Sequence, residues 1–266
     1  MDPNLVKNPV IGVVNPEALF SVRGKNYVVT GASSGLGRRF SRVLSAAGAN
    51  VVMAARRLEK MEIESGDLPR SVRVRCDVRD PEQIDRALDI GQDAFGPIDG
   101  LLNVAGISRS AEALVESVDD FRSVVETNLV SVFVASKAFA NRAVGAGRGG
   151  VVVNVASVLG TIATTIPLAS YTASKSGVVN LTRDLAVQWA PLGIRVNALA
   201  PGWFESEMTE AMFAEQSLID WMSRRSPLNR PGRADELDGA VIFLLSDASS
   251  FMIGQTLVVD GGWTLT

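Results

Sequence analysis

Short apolar runs alternate with longer amphipathic stretches along the 266-residue chain, and this alternation restricts its possible folds more than any other feature. The runs are rich in valine and are bounded by turn residues or charge, which is typical of strands buried in a parallel sheet. We predict strands at Tyr27–Thr30, Val51–Ala55, Val72–Cys76, Leu101–Val104, Val151–Val155, Val196–Ala200 and Thr256–Val259. Strands that take turns with helices predict an α/β protein with a doubly wound, parallel, seven-stranded sheet.

The amphipathic stretches between the strands predict five helices, at Gly35–Ala47, Pro81–Phe95, Val118–Val144, Ala169–Trp189 and Asp235–Leu245. No repeat or change in composition marks a second domain, so we expect residues 23–266 to form one domain. Residues 1–22 precede the first strand and are expected to be an N-terminal extension that could dock on a partner. Residues 205–230 interrupt the alternation, which predicts a small helical substrate lid at about residues 203–230.

The chain contains no histidine and a single cysteine, Cys76. The first absence excludes a Ser-His-Asp triad, a histidine base and every histidine-ligated metal site, and we expect no bound metal. One cysteine permits no internal disulfide, which is typical of a protein from a reducing compartment. Cys76 lies in an apolar alternation, where a small buried hydrophobic residue is favoured over a reactive thiol.

Charge and hydropathy restrict the partners and the location. The chain has 26 basic and 29 acidic residues, a net charge of −3, which gives no general electrostatic reason to bind nucleic acid or an anionic membrane. The first 20 residues lack a basic segment followed by a continuous apolar stretch, and no later apolar run reaches the ~18 residues that a membrane span needs. A cytoplasmic protein without nucleic-acid or membrane partners is expected.

A glycine-rich turn separates the first predicted strand from the first predicted helix. Gly31, Gly35 and Gly37 lack side chains where the backbone turns, so that backbone N–H groups at the helix N-terminus could approach a pyrophosphate. The alternative is a plain strand-to-helix turn without a ligand. The motif alone does not decide between the two.

Tyr171 and Lys175 lie one helical turn apart and share a helix face. A phenol normally ionises near pH 10 and is a poor base at neutral pH, but a neighbouring cation favours phenolate and lowers that pKa. Catalytic acids and bases work best with a pKa near the working pH. The pair, together with the glycine-rich turn, indicates nicotinamide-dependent redox chemistry at a secondary alcohol, although such a pair also occurs as a plain surface contact.

Seven motifs in order resemble the short-chain dehydrogenase/reductase family, from about Phe20 to the C-terminus. They are Thr30-Gly31-x-x-x-Gly35-x-Gly37, Asn103-Val104-Ala105-Gly106, Asn128, Ser157, Tyr171-x-x-x-Lys175, Pro201-Gly202 and Val259-Asp260-Gly261-Gly262. The chain is most similar to the branch of 3-oxoacyl-carrier-protein reductases and polyol or steroid dehydrogenases. Val104 departs from the family pattern, which commonly has a second asparagine there. The resemblance implies a Rossmann-type fold and NAD(P)-dependent interconversion of a ketone and a secondary alcohol.

The resemblance also implies a role for each catalytic residue. Tyr171 would exchange a proton with the substrate oxygen, and Ser157 would hydrogen-bond the same oxygen and stabilise its developing charge. Lys175 would hold the nicotinamide ribose and lower the pKa of Tyr171, while Asn128 would anchor a water in a proton relay. Structural alternatives remain, because Ser157 could cap a strand end and Asn128 could pack within its helix.

The residues after the second strand bear on the choice of cofactor. NAD-preferring relatives commonly carry an acidic residue at the position of Ala55, and here Arg56 and Arg57 follow it, which favours a 2′-phosphate. We therefore expect NADP(H) to be preferred, with NAD(H) possible, although Ser34 replaces a residue that is basic in many NADP-preferring relatives. The expected cofactor-binding residues are Gly31, Ser33, Ser34, Gly35, Leu36, Gly37, Arg56, Arg57, Asp77, Val78, Asn103, Ala105, Gly106, Tyr171, Lys175, Pro201, Gly202, Phe204 and Ser206.

The predicted lid is rich in large apolar residues, which favours a fairly apolar ketone or alcohol as substrate. These residues are Trp203, Phe204, Met208, Met212, Phe213, Trp221 and Met222. The helix at Ala169–Trp189 is apolar on more than one side, and with the resemblance this predicts a homotetramer. The four-residue step from Tyr171 to Lys175 disfavours an enoyl reductase. Alternatives are a noncatalytic NADP-binding sensor, a scaffold subunit, and a lyase or epimerase that retains its cofactor.

Overall fold

Seven parallel strands form a single sheet in the computed structural model, which describes residues 15–266. The strands are β1 Asn26–Thr30, β2 Asn50–Ala55, β3 Ser71–Arg75, β4 Gly100–Asn103, β5 Gly150–Val155, β6 Ile194–Pro201 and β7 Thr256–Val259. Their order across the sheet is β3-β2-β1-β4-β5-β6-β7. All seven predicted strands are confirmed, with bounds that differ by at most two residues at either end.

Helices cover both faces of the sheet. They are α1 Pro16–Leu19, α2 Gly35–Ala46, α3 Leu58–Ser65, α4 Pro81–Phe95, α5 Val118–Val125, α6 Ser131–Gly145, α7 Ala169–Trp189, α8 Glu210–Phe213, α9 Gln216–Arg225 and α10 Asp238–Leu245. Helices α2 and α10 pack on one face, and α4, α6 and α7 pack on the other. The doubly wound fold predicted from the alternation is therefore confirmed.

Burial on both faces explains why the central strands are mostly apolar. Val29 of β1 packs in the layer that contains Phe40 of α2, and its neighbour Val28 packs in the opposite layer with Leu88 and Phe139. Successive side chains of a strand point to opposite faces, so every position of a central strand meets a helix layer. Cys76 is buried, as expected, and burial raises the pKa of its thiol to about 11.

The helix predictions were accurate where the apolar period was strong. Helices α4 and α7 begin and end at the predicted residues. The predicted helix Val118–Val144 is instead two α-helices joined by a π-helical turn at Glu126–Val130. Helix α3 was missed, because only Met61 and Ser65 of its eight residues are buried and the apolar face is narrow.

One continuous helical run, Val118–Gly145, is long and apolar enough to cross a membrane when only length and composition are considered. Its α6 segment packs against α4, β4 and β5, which accounts for its apolar side. The predicted extension at residues 1–22 lies largely outside the described residues. Of its last part, α1 begins at Pro16 and Val22 is buried in the core.

The carboxyl ends of the parallel strands meet at one edge of the sheet and open a cleft there. The strand order reverses between β1 and β4, whose following segments run to opposite faces of the sheet. Open α/β sheets bind ligands in the crevice at such a switch point. The glycine-rich turn follows β1, and the other predicted motifs follow β2 to β6 at the same edge.

Candidate active site

The turn after β1 accepts no side chain at two of its glycines. Gly31 has a φ of +68°, and a Cβ atom built on it would lie 2.8 Å from the backbone N and Cα of Ala105. A Cβ on Gly37 would lie 2.3 Å from the carbonyl oxygen of Gly31. Ser34 precedes the first turn of α2 without a capping hydrogen bond from its side chain, so the N–H groups there are not satisfied by a side-chain cap. The turn is therefore built to receive an anionic group at the helix N-terminus.

The ends of β1 and β4 are tied together behind this turn. The Thr30 hydroxyl accepts hydrogen bonds from the backbone N–H groups of Val104 and Ala105, at 3.0 and 3.2 Å. The side chain of Asn103 lies away from the cleft, where its amide donates to Ser136 and Asn154. Of the residues predicted to bind cofactor, Asn103 is the one whose side chain instead supports the sheet from within.

Ser157, Tyr171 and Lys175 come together at the ends of β5 and α7. Ser157 and Tyr171 line the same part of the cleft, and the Ser157 hydroxyl accepts a hydrogen bond from the backbone N–H of Leu159 at 3.1 Å. Lys175 is 4% exposed, and its Nζ atom donates to the Val155 carbonyl oxygen at 2.7 Å and lies 5.8 Å from the centre of the Tyr171 ring. The predicted one-turn spacing thus places a phenol, a hydroxyl and an ammonium within one small region.

Burial decides the ionisation of this group. Burial raises the pKa of Tyr171, and the nearby Ser157 hydroxyl opposes that rise by stabilising phenolate. Burial lowers the pKa of Lys175 to about 8, because the ammonium has left water without gaining a carboxylate partner. The expected lowering of the Tyr171 pKa by Lys175 is not evident in this arrangement and stays a prediction for the complex with cofactor.

Asn128 lies in the π-helical turn between α5 and α6 and is fully buried. Its side chain accepts from the backbone N–H of Ile107 at 2.8 Å and donates to the Ile107 carbonyl at 2.9 Å and to Ser174 at 3.1 Å. A Cβ on Gly106 would lie 3.3 Å from Asn128 Oδ1 and 3.6 Å from Lys175 Nζ. The three residues therefore border one small polar gap behind Tyr171, and π-helical turns of this kind are frequent at functional sites.

The other end of the cleft follows β2 and β3 and is exposed. Arg56 and Arg57 both line it, and Asp77 and Val78 lie beside them after β3. The Asp77 carboxylate receives two hydrogen bonds from the Arg79 guanidinium, at 2.6 and 3.0 Å, and one from the Arg79 backbone N–H, at 3.0 Å, and these bonds hold its pKa below the usual range. Asp77 was expected to accept a hydrogen bond from an adenine, and the neighbouring arginine is a competing partner that the sequence pattern did not reveal.

Glu207 reaches Arg57 from the segment after β6. Its carboxylate receives two hydrogen bonds from the Arg57 guanidinium, at 2.5 and 2.6 Å, and one from Lys60 at 3.3 Å. Arg57 also donates to the hydroxyls of Ser34, at 2.8 Å, and Ser33, at 3.3 Å. These cations and the Ser34 hydroxyl hold the pKa of Glu207 far below its usual range.

The predicted lid is helical and is built on tryptophans. Helices α8 and α9 lie within it. Trp203, Trp221 and the C-terminal Trp263 pack edge to face with ring centres 5.5–5.8 Å apart. Phe204 and Met222 are buried, so these two predicted lining residues of the lid also serve as core.

The cleft has a volume of about 490 Å³ and gathers almost all the predicted residues. Those that line it are Gly31, Ser33, Ser34, Gly35, Leu36, Gly37, Arg56, Arg57, Asp77, Val78, Ala105, Gly106, Ser157, Tyr171, Lys175, Pro201, Gly202, Phe204 and Ser206. Sequence reasoning missed Arg79, Ile107, Ser108, Thr127, Glu207 and Thr209, whereas Met208 lines the cleft as one of the apolar residues expected in the lid. Most of these flank a motif residue directly, and that adjacency was the available signal. Within residues 15–266, no group of three or more potential ligands is arranged to hold a metal ion.

The sheet, its switch point and the tyrosine-lysine pair define a dinucleotide-linked oxidoreductase. The family model described as enoyl-(acyl carrier protein) reductase matches residues 31–264. Together with the relatives below, this match shows that the chain belongs to the short-chain dehydrogenase/reductase family, as predicted. It is an oxidoreductase that acts on CH–OH and C=O groups.

Three similar proteins show the range of the family around this chain. Gluconate 5-dehydrogenase of Gluconobacter oxydans (strain 621H) is 41% identical, over 93% of this chain and 98% of the relative. Cis-4-hydroxycyclohexanecarboxylate dehydrogenase of Sinomonas cyclohexanicum is 38% identical, over 89% of this chain and 95% of the relative. A gluconate 5-dehydrogenase from Burkholderia cenocepacia J2315, crystallised with NADP and tartrate, is 35% identical over 95% of this chain and all of that one, with a TM-score of 0.88.

Proposed function

We propose that this protein is an NADP(H)-dependent dehydrogenase/reductase that interconverts a ketone and a secondary alcohol, with Tyr171 as the acid/base. The placement of Ser157, Tyr171 and Lys175 in one cleft, with Lys175 Nζ 5.8 Å from the centre of the Tyr171 ring, carries the proposal. The group lies in the same cleft as the glycine-rich turn, whose missing side chains and uncapped helix start fit a pyrophosphate. When bound, the nicotinamide supplies or accepts the hydride.

Burial raises the pKa of Tyr171 above its ordinary value and so favours the protonated phenol. In the direction of reduction this is the form that is needed, since the phenol donates its proton to the ketone oxygen as negative charge develops there. Ser157 donates a second hydrogen bond to the same oxygen and holds it in line with the phenol. In the direction of oxidation Tyr171 must act as phenolate, and the Lys175 ammonium is the cation available to stabilise it.

Asn128 and Lys175 supply a route for the returning proton. Lys175 Nζ and Asn128 Oδ1 border the same gap at Gly106, where one water could join them. Asn128 is held by both polar groups of the Ile107 backbone, so its position is fixed while the proton passes. This assignment makes Asn128 a positioning residue for the relay.

NADP(H) is favoured over NAD(H) by the arginines that follow β2. The last residue of β2 is Ala55, at the position where an acidic side chain would bind a ribose 2′-hydroxyl. Arg56 lines the exposed end of the cleft and takes part in no ion pair among residues 15–266, so its guanidinium is available for a 2′-phosphate. The similar gluconate 5-dehydrogenase crystallised with NADP supports the same choice.

The substrate is proposed to be a small alcohol or ketone with an apolar face. Leu159, Ile162, Leu168 and Trp263 pack together beside Tyr171, and they form an apolar wall next to the reacting group. Arg109, the cation that follows Gly106 most closely, pairs with Asp120 at 2.5 Å and is exposed. Among the named relatives, this wall suits the ring of a hydroxycyclohexanecarboxylate better than the hydroxyl-rich chain of gluconate.

Steady-state assays with NADPH and a panel of ketones test this proposal. A higher kcat/KM for an alicyclic ketone such as 4-oxocyclohexanecarboxylate than for 5-ketogluconate would support the apolar substrate. Turnover of 5-ketogluconate alone would make the apolar assignment wrong and leave the chemistry standing. No NADPH oxidation with any ketone, and no NADP⁺ reduction with the matching alcohols, would overturn the catalytic proposal.

Three further features belong to the same proposal. Exposed Phe121, Val130, Phe133 and Val144 on the α5–α6 run support assembly into a homotetramer, since another copy could bury them. A single buried cysteine supports a cytoplasmic location. We retain residues 1–22 as an N-terminal extension, residues 23–266 as one domain, and residues 203–230 as a lid that closes on the substrate.

A further inference from the structure

Glu207 brings a carboxylate from the lid to the arginine that follows β2, 150 residues away in sequence. Its two oxygens lie 2.5 and 2.6 Å from the Nη1 and Nη2 atoms of Arg57, in the bidentate arrangement that guanidinium also forms with phosphate. Lys60 approaches the same carboxylate at 3.3 Å, and Arg57 also donates to the hydroxyl of Ser34 in the glycine-rich turn at 2.8 Å. Two cations thus hold one acidic group beside this turn, at the open end of the cleft.

This contact leaves Arg57 without a free nitrogen in the described structure. Nη1 and Nη2 donate to Glu207, Nη2 also donates to Ser34, and Nε donates to Ser33. The Arg57 nitrogens that could donate hydrogen bonds to a phosphate are therefore present, but in this structure they donate to other groups of the protein. Neighbouring Arg56 lines the cleft without such a partner, so the two arginines are not equivalent.

The lid segment lies directly over the glycine-rich turn at this point. A Cβ on Gly35 would lie 3.4 Å from the Cβ of Ser206 and 3.9 Å from the backbone nitrogen of Glu207. The carboxylate cannot be explained as a distant surface charge, because the backbone that carries it packs on the start of α2. Its place is fixed by the fold of the segment after β6.

We infer that the Glu207 carboxylate occupies the subsite of the cofactor 2′-phosphate and competes with it for Arg57, which makes Glu207 a specificity-determining residue. The inference rests on the proposed use of NADP(H). A dinucleotide with a 2′-phosphate must displace the carboxylate from Arg57, whereas one with a 2′-hydroxyl leaves the ion pair in place. Glu207 therefore weakens the binding of NADP(H) but not of NAD(H), and so reduces the difference in affinity between the two cofactors.

Fluorescence titration of NADPH and NADH against the wild type and Glu207→Gln tests this inference. The ion pair is partly exposed, and pairs of that kind contribute modestly, so we expect Glu207→Gln to bind NADPH about fivefold more tightly, with NADH unchanged within about twofold. Glu205→Gln is the matched control: it removes the same charge two residues away, is exposed, and makes no described contact with Arg57. 2′,5′-ADP, which carries the 2′-phosphate, should also bind Glu207→Gln more tightly than the wild type, whereas 5′-AMP should bind the two equally.

The possible results distinguish a failure of this inference from a failure of the proposed use of NADP(H). Weaker NADPH binding by Glu207→Gln would show that the carboxylate positions Arg57 and would overturn the competition. If Glu207→Gln bound both cofactors more tightly to the same extent, or if Glu205→Gln bound NADPH more tightly by the same factor, the effect would come from the change in net charge alone. Either result would also overturn the inference. A wild type that binds NADH alone would overturn the cofactor assignment together with this inference.

Discussion

The two ends of the cleft are built in different ways. At the catalytic end, Lys175 and Asn128 are almost wholly buried, and they are held by backbone groups of Val155 and Ile107. At the other end, Arg57 and Glu207 are 48% and 39% exposed, and they are held by each other's charges. Strand ends and a long helix fix the first group, whereas side-chain ion pairs fix the second.

This difference in burial predicts different tolerance to substitution at the two ends of the cleft. A buried donor that loses its partner costs about 1–3 kcal/mol, so the catalytic end permits few changes. An exposed ion pair contributes roughly 0–1 kcal/mol, so the charges at the other end can be exchanged with little loss of stability. We therefore expect substitutions at the catalytic end to affect turnover or stability strongly, and substitutions at the other end to affect mainly the choice of cofactor.

The largest effect is expected for Tyr171→Phe, which removes the proton donor and keeps the ring. General acid catalysis contributes about 10²–10⁴-fold, and we expect kcat to fall by about 10³-fold while NADPH binding is retained. Tyr27→Phe is a matched control, because Tyr27 is the only other tyrosine and its hydroxyl reaches Leu245 in the core. Comparable losses of kcat in both variants, measured with one substrate, would refute the assignment of Tyr171.

A smaller effect, on stability, is expected at Lys175. Because its folded pKa is about 8 and the ordinary value is 10.5, the unfolded chain binds a proton between those pH values that the folded chain has lost. The free energy of unfolding of the wild type should therefore increase by up to roughly 3 kcal/mol relative to that of Lys175→Met as the pH rises from 8 to 10.5. The same amount should be lost when the pH is lowered again. Denaturant unfolding across this range measures the difference.

Lys137→Met serves as the comparison for that series, since it makes the same substitution at an exposed position on α6. Any loss caused by leaving the Val155 carbonyl without its donor is independent of pH and does not alter the slope. A flat difference between the wild type and Lys175→Met from pH 8 to 10.5 would mean that Lys175 stays protonated in the fold, contrary to its burial.

The smallest effect is expected at the exposed end, for Arg56→Ala. Loss of one arginine from a phosphate subsite should raise the Kd of NADPH about tenfold and leave the Kd of NADH unchanged, because only one cofactor carries the extra charge. Arg42→Ala removes the same charge from an exposed position on α2 away from the cleft. Titration of both variants with NADPH and NADH measures these Kd values. An unchanged Kd of NADPH in Arg56→Ala would show that Arg56 does not bind the 2′-phosphate.

The sequence predicted the strands and the catalytic end better than the exposed end, and the reason is physical. The central β-strands are buried on both faces, so their apolar runs are visible without knowledge of their neighbours. Tyr171 and Lys175 share one helix, where their spacing alone determines that they meet. The pairing of Arg57 with Glu207 joins residues 150 positions apart and depends on where the lid packs, which no local pattern records.

Local patterns also failed where the backbone departs from a regular helix. The π-helical turn at Glu126–Val130 inserts a wider turn in a stretch whose apolar spacing predicts one continuous helix. Asn128 lies in this turn, and its partners became visible only in the fold. The side chain of Asn103, at the end of β4, donates to Ser136 and Asn154 in the core, and its part in cofactor binding stays a prediction.

The buried chain from Asn103 has a consequence for the order in which the protein opens. Asn154, which accepts from Asn103, in turn donates to Thr182 at 3.0 Å, so polar side chains link β4, β5 and α7 in the centre of the molecule. Central segments of this kind exchange their amide hydrogens only when the whole domain unfolds, whereas exposed segments exchange through local opening. We therefore expect the segments that carry Ser157 and Lys175 to exchange their amide hydrogens only when the native state itself is lost, and the short helices α8 and α9 to exchange sooner through local opening.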